Sequence, residues 1–194
     1  MHTNLVKLEK FESSFLSLEK DTETILRKLF IESRPYSDIL KRLLVVQTKD
    51  CLTNLEESEY KKKLAAMSLP KLMQDSYVKL TPKIRIPEHE EVKAYLIMSY
   101  DNFAPTRNPQ YRDHVLYFDI ICHTDYWQLD NYQIRPLKIA GYIDGILNNA
   151  KLSGIGTLQF LGAKELILDE NLGGYNLSYL VTNGNDDKIE PEED

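Results

Sequence analysis

The stretch from Val115 to Asn183 constrains this chain most. VLYFDIICHTDYW, a short helical pattern opened by Arg135-Pro136, GIGTLQFLG and GGYNLSYLVTN follow one another there. Apolar residues recur every second position in the flanking segments and every three to four in the middle one. Strands therefore bracket one amphipathic helix. Leu116, Phe118, Ile120 and Cys122 give one apolar strand face, and Tyr175, Leu177, Tyr179 and Val181 give another. Ile139, Ile143, Ile146 and Leu147 make a helix stripe that faces the sheet. Pro136 suits the first helical turn, where a missing N–H costs nothing. Gly141 and Gly145 each weaken that helix by roughly 1 kcal/mol, which close approach of another backbone would justify, although plain helix-on-sheet packing is the first expectation.

The order β-β-α-β-β-β, with strands joined mostly by turns, predicts an α+β fold. Its sheet is mostly antiparallel, with one helix packed on a face and a helical segment ahead of it. VKAYLIMSY at 92–100 reads as the first long strand, and GIGTLQFLG and ELIL read as two short ones. Between 101 and 113 lies a polar loop carrying Arg107 and Arg112. The turn DENLGG, with Gly173 and Gly174, leads into the last strand.

Residues 1–70 read as a helical segment or arm, 71–184 as the α+β core, and 185–194 as a disordered acidic tail. Leu5, Leu8, Phe11, Phe15 and Leu18 lie on one helical face. Asp21 or Thr22 is expected to cap a second helix, closed by Pro35, and Ser37 a third. EESEYKKKLAAMSL reads as a fourth, ended by Pro70.

The net charge of -6 is concentrated in the tail, where six acids and one lysine leave -5. The rest carries -1, with 24 acids against 23 bases, so its charge does not argue for nucleic-acid binding. Cys51 and Cys122 are too few for a disulfide framework and are expected as reduced thiols. No apolar run approaches membrane-span length, and no membrane partner is expected.

Four constellations resemble chemistry without completing it. Asp119, His123 and Asp125 form a D-x3-H-x-D string on one strand, but a metal needs three or four convergent ligands and no second cluster accompanies them. Cys122 and His123 are adjacent on a strand and point to opposite faces, so they form no nucleophile–base pair. Asp50 with Glu59-x-Lys61 imitates the D…E-x-K of metal-dependent nucleases, yet it falls among helical residues and not on adjoining strands. Leu152-Ser153-Gly154-Ile155-Gly156 lacks the third glycine of a phosphate loop, and Gly154 reads as the left-handed residue ending the helix. No catalytic, cofactor-binding or metal residue is assigned, and no enzyme activity or cofactor is expected.

The blocks RPLKIAGYIDGILNN, GIGTLQFLGAKELIL and GGYNLSYLVTN, with the strands before them, cover about residues 90–183. Strand, strand, long helix, paired strands and a tyrosine-rich last strand resemble, in that order, the neck and tail-terminator proteins of tailed bacteriophages. The resemblance implies a structural virion protein, assembled in the host cytoplasm. Its subunits close a homo-oligomeric ring between the head connector or portal-side protein and the tail tube protein. It also implies that the 101–113 loop and a Gly173-Gly174 turn reach toward those neighbours. An adaptor outside a virion and a metal-dependent nuclease are the competing expectations.

Overall fold

The computed structural model describes residues 17–53, 64, 66–81, 92–105, 111–130, 132–152 and 155–184. Three helices of defined extent come first among the described residues, and Leu64 and Ala66 are helical as well. Helix α1 (Ser17–Arg27) widens into a π turn over Lys28–Glu32, α2 spans Tyr36–Val45, and the short α3 spans Leu69–Gln74. A two-residue strand β1 (Val78–Lys79) precedes β2 (Ala94–Pro105) and β3 (Tyr111–His123). Helix α4 (Arg135–Leu147) separates these from β4 (Lys151–Leu152), β5 (Gly156–Ile167) and β6 (Leu172–Gly184). The six strands lie in the order β1-β2-β3-β6-β5-β4. Among the described residues only the β1–β2 pairing is parallel, and the fold is α+β with a mostly antiparallel sheet, as the patterning predicts.

The alternating face of β3 lies at the centre of the core. Leu116, Phe118, Ile120 and Cys122 are all fully buried, and the register sets Leu116 beside Tyr179 and Phe118 beside Leu177. The stripe of α4 closes over β3 and β6. Leu40, Leu43 and Leu44 of α2 and Ile25, Leu29 and Phe30 before it join the same core. Each buried side chain of this size contributes roughly 1.5–3 kcal/mol. The opposite face holds a smaller cluster of Tyr95, Ile97, Ile121 and Leu172.

Several local expectations are corrected. Asp21 and Thr22 lie inside α1 and not at its N-terminus; Thr22 Oγ1 donates to the Leu18 carbonyl at 2.6 Å. Ser37 is likewise interior to α2, whose N-cap is Pro35. Pro70 opens a helix instead of ending one, because Ser68 accepts from the Lys71 N–H and places the proline in the first turn. Helix α4 ends at Leu147, and Asn149, at φ 59°, supplies the left-handed residue that had been expected at Gly154. GIGTLQFLG and ELIL are one strand, continuous through a bulge between Phe160 and Gly162.

The loop at 101–113 is mostly sheet, since β2 and β3 extend as a hairpin to Pro105 and from Tyr111, with a bulge at Asn102–Phe103. Gly173 and Gly174 are also strand residues, not a turn. A Cβ on Gly174 would lie 1.7 Å from the Ile120 carbonyl oxygen, so only glycine lets β6 approach β3 there. The turn is Leu168–Asn171, where the Asp169 carboxylate accepts from the N–H groups of Asn171 and Leu172. The first helical stripe, apart from Leu18, and the acidic tail lie outside the described residues.

Candidate assembly interface

The candidate chemical residues do not converge. Asp119 accepts from Asn176 Nδ2 at 2.6 Å across the β3–β6 pair and so serves the sheet. His123 caps a short 3-10 turn (Thr124–Tyr126), its Nδ1 accepting from the Asp125 N–H at 3.2 Å. Among the described residues no three His, Cys, Asp or Glu side chains are grouped to hold a metal. Cys122 lies in the core, where burial pushes its thiol up to about 12. Asp50 sits in the turn after α2, while Glu59 and Lys61 lie outside the described residues, as does Arg107. Arg112 pairs with Pro105 and Asn183 as a strand residue. Of the glycine string, Gly156 opens β5, and Ser153 and Gly154 lie outside the described residues.

Arg135 is the best-engaged polar side chain, and the sequence marks it only as the start of a helix. It is fully buried. Its Nη1 donates to the carbonyls of Leu43 (2.6 Å) and Val46 (2.9 Å), Nη2 to Thr48 (2.6 Å), and Nε to Tyr126 (2.9 Å). The guanidinium thus satisfies carbonyls at the C-terminal end of α2, where the helix dipole favours a cation. It joins α2, the segment after it and α4 into one layer. Cys51 lies beside it; burial raises its thiol pKa, which the Arg135 charge lowers in part.

Among the described residues that layer covers the centre of the sheet and does not reach its sides. Strand β4 pairs only with Gly156 and Thr157, and Asn149, Ala150 and Asn148 bond Leu158 and Phe160. From Leu161 to Ile167, β5 has no strand on its outer side among the described residues. Leu161 is 55% exposed and Ile167 76%. On the other side, β1 pairs only with Leu96 and Ile97. Tyr100–Pro105 of β2 then runs without an outer strand among the described residues, with Phe103 42% exposed. Unpaired edges of this kind offer rows of N–H and C=O groups to another strand.

Gly141 and Gly145 present their bare side to solvent on α4, and a Cβ on either would touch nothing within 4 Å. No other backbone approaches them closely among the described residues, which leaves the plain helix-on-sheet reading of this helix. At the free end of the β2–β3 hairpin, His114 packs between Tyr100 (5.3 Å between ring centroids) and Phe103 (5.7 Å). Burial pushes its imidazole down to about 4, against the opposing pull of Asp113.

The chain belongs to the YomW family, whose model matches residues 37–181. No curated protein matches it by sequence. Among solved structures it is similar to a chain in the virion of a native gene transfer agent particle, at 17% identity and a TM-score of 0.40. That alignment covers 64% of this chain and 90% of the other.

Proposed function

We propose that this member of the YomW family is a non-catalytic structural subunit of a phage-type particle, acting at the neck as a ring-forming tail-terminator or head–tail joining protein. One observation carries the reading: among the described residues a well-packed sheet has no outer strand along most of β5 and β2, with Leu161, Ile167 and Phe103 exposed on them. A subunit that meets identical neighbours through two different edges makes heterologous contacts, and such contacts generate rings when the rotation closes. Ring closure would cover edges that otherwise template aggregation. The head connector and the tail tube protein would then contact the two rims of the ring.

The reading is tested by removing the chain from a genome that encodes such a particle. Filled heads and separate tails should accumulate, and adding back the purified protein should join them. Normal yields of joined particles without it would contradict the proposal. The adaptor alternative predicts instead a defined complex with one other protein and no ring.

A further inference from the structure

We infer that the ring contact is strand to strand: the open run of β5 in one copy pairs antiparallel with the open run of β2 in the next. This rests on the assembly reading above and names its interface. Direction supports it first. Strands β2, β3, β6 and β5 alternate in direction across the sheet, so β5 runs opposite to β2. Rotation about an axis along the strands preserves direction, and it brings β5 of one copy alongside β2 of its neighbour as an antiparallel pair. That pairing extends the same hydrogen-bond pattern from copy to copy.

The ends of the two runs also fit. On β5 the run begins after Phe160, whose N–H is already held by Asn148 Oδ1 at 3.3 Å. On β2 the run finishes at Pro105, which has no N–H to offer. Setting Pro105 opposite Phe160 ends the ladder where neither residue has a free donor. The pairs that follow are Ala104 with Leu161, Phe103 with Gly162, Asn102 with Ala163, Asp101 with Lys164 and Tyr100 with Glu165. The exposed Phe103 ring then lies over Gly162, where a Cβ would meet nothing within 4 Å. Exposed Lys164 faces exposed Asp101. Farther along, Ile167 reaches the level of Leu80, itself 42% exposed.

The symmetric alternative fits worse. Pairing β5 with itself in full overlap over 161–167 puts Lys164 opposite Lys164 of the other copy, and like charges directly opposite are unfavourable.

Single variants Lys164→Cys and Asp101→Cys, oxidised separately and as a mixture, test the pairing. Directly opposite antiparallel residues lie about 4.5–5.5 Å apart between Cα atoms, within disulfide reach. The native Cys51 and Cys122 are buried and stay out of the reaction. The mixture should give a cross-linked dimer at least tenfold above either variant alone. The double variant should give a ladder of covalent oligomers, and the pair Lys164→Glu with Asp101→Lys should restore assembly that each single reversal weakens. Equal cross-linking of Lys164→Cys with itself would overturn the inference in favour of a two-fold dimer. No cross-link in the mixture, while the wild-type protein still forms an oligomer, would overturn this interface and leave self-assembly standing. A wild-type protein that never self-associates would overturn both.

Discussion

Strands β5 and β6 are neighbours of nearly equal length, twelve and thirteen residues, yet the molecule treats them differently. Strand β6 lies between β3 and β5, and its Leu177, Tyr179 and Val181 are buried under α4. Past its bulge, β5 has a strand on one side only among the described residues, and Ala163, Glu165 and Ile167, on the face that meets the helices farther back, are exposed. The helical layer ends before it reaches them. A strand's pattern specifies a face, but what covers that face decides whether the residues become core or contact surface.

The largest effect should come from removing the anchor that holds the helical layer over the centre. Arg135→Met leaves four backbone carbonyls without the donor that serves them, and should cost roughly 3–5 kcal/mol in denaturant unfolding. Arg135→Lys should recover only part of this, because one ammonium cannot span all four. The covered strand comes next. Leu177→Ala opens a cavity between β6 and the helices and should cost about 3 kcal/mol.

A smaller, pH-dependent effect is expected at His114. Its folded pKa, about 4, lies below the ordinary 6.5, so the unfolded chain binds the proton more readily. Stability should therefore be full above pH 6.5 and fall as the pH drops toward 4, with His114→Phe flattening that slope in urea midpoints. The smallest effect belongs to the open edge. Ile167→Ala should change subunit stability by no more than about 0.5 kcal/mol while still weakening assembly. A loss comparable to that of Leu177→Ala would show that the edge is already covered within the subunit and would erase the contrast.

The parts of the fold legible in the sequence were those where one period ran unbroken. Leu116 to Cys122 and Leu177 to Val181 alternate cleanly, the α4 stripe recurs every three to four residues, and all are buried as their spacing implies. Punctuation residues are less informative, because their meaning depends on which side of them the helix lies. Pro70 is sterically as suited to a first turn as to a stop, and only the Ser68 cap decides it. Bulges hid two long strands. At Asn102–Phe103 and after Phe160 one extra residue shifts the alternation, so a continuous strand reads as a loop or as two pieces. Gly173-Gly174 resembles a turn by composition, while its reason is the close passage of β3.

The interface was legible only in part. Exposed apolar residues on β5 match those of a core strand, and no local signal reveals that the helices stop short. Arg135 was hidden for a related reason, since its partners are carbonyls some ninety residues earlier in the chain and carbonyls carry no side-chain signature.

Solution mass by light scattering after size exclusion, across a concentration series, tests the central claim most directly. A ring closed by β5–β2 pairing gives one oligomer at a fixed multiple of 22.6 kDa, unchanged on dilution and reduced in size by reversing the charge of Lys164. A mass of 22.6 kDa at every concentration would contradict it.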